Sequence, residues 1–275
     1  MTIYSILIQF LILAAVFIGS RGIAQTSQKD LAQDLASSRD KLVTLESQEN
    51  LALLRHHPVY IIYGNPNTKA QFSFKFLIVR SIPLYVSYSQ LIFWRLHEKS
   101  KPFEDATYNP EIFYRWSLGR DHFTSLDFGP WGHHSNGKDG DSSRSIDESF
   151  IRFRKRFDAK NLTLLLSGTA SAQYNLDDTN RDSYKYHGPF EFQASLINFF
   201  ELTQIIDKSD FTARFFPGGR FGERWYTGGY ELGFNFRFGA LDVFPTFYLQ
   251  YYQGYAESMK NYSERVQQFR AGISF

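Results

Sequence analysis

The run WGHHSNGKDGDSSRS at 131–145 carries the residues of this chain best suited to bond-making chemistry. His133 and Ser135 stand two apart, which puts both side chains on one face if a strand continues through them. A neutral imidazole within hydrogen-bond reach of a hydroxyl is the minimum needed to turn a serine into a nucleophile. A third polar residue that orients the ring completes a triad. His134 has the opposite parity and is the weaker candidate for the base. In the segment that follows, Asp139 and Asp141 offer the hard oxygens that calcium prefers. The spacing is not that of an EF-hand, because the sixth position from Asp139 is Arg144 instead of glycine and the twelfth, Phe150, cannot ligate. By composition alone 138–143 is a flexible polar turn, and a plain solvated loop is the alternative reading of the whole run.

The elements that would hold these residues are strands. Of 275 residues, 28 are Phe, 17 Tyr and 4 Trp, and none is Cys, which removes disulfides, thiolate metal sites and cysteine nucleophiles. A net charge of +2 from 30 basic and 28 acidic residues is too balanced for a nucleic-acid footprint or a polybasic membrane anchor. The chain begins with an apolar run from Ile3 to Ile18, followed by small residues at Gly22 and Ala24. This pattern predicts a secretory signal over 1–24, with a retained anchor as the alternative because no Lys or Arg precedes the run. No later stretch reaches the ~18 consecutive apolar residues of a spanning helix. Residues 25–56 form a polar extension with helical spacing of leucines (Leu31, Leu35, Leu42, Leu45).

From Val59 onward the hydrophobic period is two. Phe72, Phe74, Phe76 and Ile78 share a face, as do Phe190, Phe192, Ala194 and Leu196. In 151–157 Ile151, Phe153 and Phe157 face one way, and Arg152, Arg154 and Arg156 the other. Arginines at every second position do not suit the apolar core of a soluble β-sandwich. They suit a transmembrane barrel, whose apolar face meets lipid and whose polar lumen lets arginines pair with inward carboxylates such as Glu191 or Glu231. About twelve segments of suitable length, short and long connections in alternation, and a terminal aromatic, Phe275, complete the pattern. The predicted fold is therefore all-β: a single-domain transmembrane antiparallel β-barrel of about 12 strands over 57–275, with a soluble sandwich as the alternative.

One stretch breaks the alternation. In 121–133 the face of His133 also carries Ser125, Asp127 and Gly129, while Leu126 and Phe128 lie opposite. Either Gly129-Pro130 marks a bulge that switches parity, the favoured reading, or the outer face is polar near the site.

YSQ at 88–90, SKPFEDATYNPEIF at 100–113 and HHSNG with SSRS across 133–145 resemble, in order and at near-family spacing, the outer membrane phospholipase A family. That family's patterns run Y-x-Q, S-x-P-F-R-E-x-N-Y-x-P-E, and H-x-S-N-G followed by S-R-S-W-N. The motifs lie within 57–158, and weaker strand-level similarity extends to Phe275. The resemblance implies a twelve-stranded barrel in the outer membrane of a Gram-negative cell. It also implies a calcium-dependent hydrolase of phospholipid acyl esters that is active as a homodimer.

Carried over by position, His133 looks like the general base, Ser135 the nucleophile, and Asp147 stands where the family has an asparagine that orients the imidazole. A carboxylate accepts that hydrogen bond at least as well. Ile146 replaces the family's tryptophan, removing an interface anchor, and Glu148 is the fallback third member. The implied calcium ligands are the Ser143 side chain, the Lys138 carbonyl (an arginine in the family) and the Ser100 carbonyl of a second subunit. Calcium, through its water, and a backbone N–H beside the nucleophile would stabilise the oxyanion. Gln90 resembles a polar residue buried at the family's dimer contact, and an inward lumen glutamine is the alternative. Phe103, Tyr108 and Pro110 look like a structural turn before the next strand. Glu104-Asp105 and Thr107 depart from the family's Arg-Glu and Asn. The resulting reading is a dimeric outer-membrane phospholipase; a non-catalytic barrel of the same ancestry is the alternative.

Overall fold

The computed structural model describes residues 54–79, 81–118, 124–159, 162–199, 206–238 and 246–275. The signal and the helical extension predicted before residue 54 lie outside the described residues, apart from the last positions of the extension. Twelve strands form one closed antiparallel barrel: β1 (Tyr60–Tyr63), β2 (Thr68–Val79), β3 (Ile82–Trp94), β4 (Phe103–Leu118), β5 (Thr124–Ser135), β6 (Ser145–Ala159), β7 (Leu162–Tyr174), β8 (Phe190–Ile197), β9 (Ile206–Gly218), β10 (Arg224–Phe238), β11 (Thr246–Gly254) and β12 (Val266–Ser274). Each strand pairs with its sequence neighbours, and β1 closes on β12 through Tyr60 opposite Ser274 and Tyr63 opposite Ala271. Closure leaves no free sheet edge, which hydrocarbon requires because no water is there to satisfy an unpaired backbone group.

The two faces divide as the alternation predicts. Outward side chains are apolar and exposed: Phe72 is 64% exposed, and Trp116, Phe128, Ile151, Phe153, Phe192 and Phe269 also face out. Inward ones are in large part polar, with buried apolar residues such as Phe93, Phe113 and Phe216 among them. Arg152 bonds Glu111 at 3.2 Å, Arg154 bonds Asp127 at 2.7 Å, and Arg115 grips the same Asp127 with two bonds of 2.7 and 2.9 Å. Arg152 and Arg154 of β6 thus face the lumen as expected, with partners from β4 and β5, whereas the more exposed Arg156 bonds Asp158 of its own strand at 2.8 Å. Glu191 is taken by Arg214 and Glu231 by Lys69. A second cluster joins Lys69, Glu231, Gln250, Glu257 and Arg270. Removing one partner from such a buried set leaves a charge uncompensated, which costs about 3–5 kcal/mol.

β4 starts at Phe103, so Phe103, Tyr108 and Pro110 are strand residues and not a turn. Its early inward positions, Asp105 and Thr107, are polar and buried, which hid the strand in the hydropathy pattern. The longer connections at the end of the barrel that carries 131–145 are therefore 95–102, 136–144, 175–189 and 255–265.

Candidate active site

Glycine and proline decide which way the chemistry points. Across 129–132 three steps of β5 oppose two of β6, from Gly129 opposite Phe150 to Gly132 opposite Glu148, and β4 shows the same offset between Ile112 and Tyr114. This is the bulge predicted at Gly129-Pro130, with one extra residue that β5 absorbs. Gly129 is required there, because a Cβ would lie 2.3 Å from the Phe150 ring. Before the bulge Phe128 faces out and Asp127 in. Beyond it Trp131, His133 and Ser135 face out, while Gly132 and His134 face in.

His133 lies directly opposite Asp147 in the ladder, and its Nδ1 is 2.7 Å from Asp147 Oδ1. The imidazole stacks on Trp131, with ring centroids 6.1 Å apart and planes 10° from parallel. With Nδ1–H donated to a carboxylate, Nε2 is left as the acceptor nitrogen, which is the tautomer a general base needs. The second oxygen of Asp147 accepts from the Asn175 amide at 3.0 Å. Ser135 sits on the same outer face, opposite Ser145 on one side and Tyr108 on the other. Its hydroxyl accepts from the Gly137 N–H at 3.1 Å. Among the described hydrogen bonds none joins Ser135 to His133.

His134 and Glu148 are excluded from this arrangement by parity. His134 faces the lumen, its Nδ1 2.7 Å from Asn109 Oδ1 and its Nε2 3.1 Å from Glu148 Oε1. Glu148 therefore serves His134 and not His133, which removes it as a fallback third member. Ile146, opposite His134, has inward parity as well, so its place is not that of an interface anchor. Gln90 lies on the outer face, bonded to Tyr88 and paired with Tyr108, whereas Ser87 and Ser89 are buried lumen residues of β3. An outward row thus runs Gln90, Tyr108, Ser135, Ser145 across four strands.

The loop after Ser135 is built around Asn136, whose amide accepts from the backbone N–H of Lys138 and Arg144 and donates to the Ser142 carbonyl. Gly137 and Gly140 have φ of +63° and +61°, conformations that cost other residues a Cβ clash. Ser143 donates its hydroxyl to Asp177 at 2.8 Å, and its carbonyl accepts from Thr179. The Asp177 carboxyl is held below the usual carboxylate range, first by the Thr179 N–H, then by the Ser143 and Thr179 hydroxyls. The Lys138 ammonium turns away to the Glu104 carbonyl at 3.2 Å, leaving its own carbonyl clear of that charge. Ser100 lies in the adjoining 95–102 connection. Ser143, with an anionic oxygen beside it, and the Lys138 carbonyl supply hard oxygen donors of the type a calcium ion takes, so the residues present fit such an ion.

Residues 175–180, NLDDTN, contribute contacts that their polar composition did not single out. Asn180 brackets Ser145, accepting from its N–H and donating to its carbonyl, and Asp177 N–H donates to the same carbonyl. A different group, His56, His57 and Glu111, brings three metal-ligand atoms within 4.8 Å of one another in the lumen. Glu111 is already committed to His56, Ser87 and Arg152, and the positive field of Arg152 and Arg154 acts on both imidazoles, a poor setting for another cation.

Similarity to known proteins agrees with this architecture. The family described as Phospholipase A1 matches residues 42–275. A Phospholipase A1 of Proteus vulgaris is 25% identical over 95% of this chain and 95% of its own length. That of Escherichia coli K12 is 28% identical over 74% of this chain and 67% of its own. Among solved structures, an outer membrane phospholipase A from Escherichia coli superposes with a TM-score of 0.67 at 23% identity, covering 82% of this chain and 91% of that one. A Salmonella typhi outer membrane phospholipase dimer with bound calcium gives 0.68 at 23% identity, covering 84% and 96%. With the family matched from residue 42 to the last residue and the twelve-stranded barrel shared, this chain belongs to the phospholipase A1 family of outer membrane β-barrel proteins.

Proposed function

We propose that the protein is a calcium-dependent phospholipase of the Gram-negative outer membrane, hydrolysing acyl esters of glycerophospholipids and lysophospholipids with His133, Ser135 and Asp147. The observation that carries this reading is the 2.7 Å His133–Asp147 pair on the outer wall of the barrel, on the same face as Ser135. Enzymes acting on soluble substrates enclose such a pair in a cleft. Here it faces the bilayer beside Trp131 and Phe128, where a lipid ester arrives by lateral diffusion.

In the reaction, His133 Nε2 takes the Ser135 proton as Oγ attacks the ester carbonyl. Asp147 compensates the imidazolium that forms, and the Gly137 N–H, already 3.1 Å from Oγ, is a donor for the developing oxyanion. His133 returns the proton to the departing glyceryl or lysolipid oxygen, leaving an acyl-serine. Water, deprotonated by the same nitrogen, releases the fatty acid and restores the serine. Ser143 Oγ and the Lys138 carbonyl, with the Ser100 carbonyl of a second copy, would hold calcium, which when bound supplies positive charge for the oxyanion. The outward Gln90 in the same row as Ser135 supports a homodimer as the active form, in which that ligand set would be shared. Residues 1–24 are read as the export signal.

Purified protein in detergent micelles, assayed on a phospholipid with and without a calcium chelator, tests the proposal. Hydrolysis that the chelator abolishes and that Ser135→Ala lacks is expected. Wild-type inactivity with calcium present, or full activity of Ser135→Ala, would favour a non-catalytic barrel of the same ancestry.

A further inference from the structure

Asn175 is the first residue after β7, and Tyr174 pairs directly with Asp147. Its backbone is left-handed at φ +47°, a conformation that asparagine and glycine tolerate better than other residues. That turn brings Asn175 Nδ2 to 3.0 Å from Asp147 Oδ2, while Oδ1 of the same carboxylate faces His133 Nδ1. The next residues of the loop are fastened independently to the 136–144 connection and to the start of β6. Asp177 holds the Ser143 hydroxyl, and Asn180 bonds both backbone groups of Ser145. The amide donor is therefore held by a fixed loop.

A carboxylate with one partner can turn about its Cβ–Cγ bond and present either oxygen to an imidazole. With the second oxygen anchored, the plane is set before substrate arrives. We propose that Asn175 is a positioning residue for the reaction: by holding Asp147 Oδ2 it fixes the carboxylate plane against which His133 is oriented. This rests on the assignment of His133, Ser135 and Asp147 made above. It also addresses the departure at Asp147. A carboxylate has two acceptor oxygens and no donor, so replacing an amide there calls for a donor opposite, and Asn175 provides it.

Three variants test the idea. Asn175→Gly removes the amide while keeping the left-handed backbone accessible. The expected result is a fall in kcat of about tenfold, the scale of one hydrogen bond to a charged group, with KM and the calcium concentration for half-maximal rate unchanged within about twofold. Asn175→Asp sets two carboxylates against each other and is expected to be worse than Asn175→Gly. Adding Asp147→Asn to Asn175→Asp restores a donor facing an acceptor and is expected to recover most of that loss, a rescue that a purely structural loop residue would not show. Activity of both single variants within about twofold of wild type would overturn the proposal. So would additive losses in the double variant, or a loss that follows calcium affinity instead of kcat.

A readout independent of turnover separates this from failure of the phospholipase reading. In protein labelled with ¹⁵N-histidine, the His133 Nδ1 proton is expected to be hydrogen-bonded and shifted downfield in wild type and to lose that shift in Asn175→Asp. An unchanged His133 signal in that variant refutes the positioning role even if the wild-type protein has no hydrolase activity.

Discussion

Asp147→Ala removes the carboxylate that faces the outward imidazole. The Nδ1–Oδ1 distance is 2.7 Å, and the side chains are 18% exposed for Asp147 and 35% for His133. Unit charges centred about 4 Å apart attract by about 4 kcal/mol at the effective dielectric of a protein surface. That is a ceiling, because both groups are partly open to solvent. A hydrogen bond to a charged group contributes about 1.5–3 kcal/mol. Taking about 2–3 kcal/mol at the transition state, when the imidazole carries its charge, gives a fall in kcat of about 30- to 150-fold. KM should stay within about twofold, because Asp147 acts through His133 and not on the lipid. Asp147→Asn retains an acceptor for Nδ1–H without the full charge and is expected to lose only about tenfold or less. The assay is steady-state hydrolysis in mixed micelles at saturating calcium, with Ser135→Ala as background. A rate for Asp147→Ala within about threefold of wild type, with Ser135→Ala inactive, would refute the assignment of Asp147 as the residue that orients and compensates His133.

Glu148→Gln, which perturbs the inward pair with His134, should leave the hydrolysis rate within about threefold while lowering barrel stability by about 1–3 kcal/mol, read as the midpoint of heat-modifiable gel migration. Gly129→Ala places a methyl 2.3 Å from the Phe150 ring and should destabilise the barrel by about 1–3 kcal/mol, with Phe150→Leu restoring part of the loss in the same assay. Burial, followed by the hydrogen bond to Asp182, pushes the Tyr262 hydroxyl up to about 12 from an ordinary value of 10.0. A group whose folded pKa is raised stabilises fully below its unfolded value, so the contribution of this contact should be intact below pH 10 and disappear as pH rises toward about 12. Comparing the alkaline unfolding of wild type and Tyr262→Phe checks this, and identical profiles would contradict it.

The sequence by itself determined the barrel. Period-two alternation with aromatics on one side and arginines on the other is dictated by a lipid exterior and a polar lumen, and each strand carries that signal locally. The outward position of His133 and Ser135 was also legible, because Gly129-Pro130 is the kind of dipeptide at which a strand takes up an extra residue and reverses parity. The true start of β4 was not, since its early inward positions are polar and mimic a loop. Nor could the sequence assign partners to the lumen arginines. Which carboxylate meets Arg152 depends on register across three strands, and the inward set from β4 and β5 proved nearer than Glu191 or Glu231. Tertiary structure likewise decided that Glu148 belongs to His134, that Gln90 faces out, and that a loop some thirty residues past Asp147 returns to hold its second oxygen. In each case the deciding quantity is a separation in space between residues far apart in the chain, which only closure of the barrel sets.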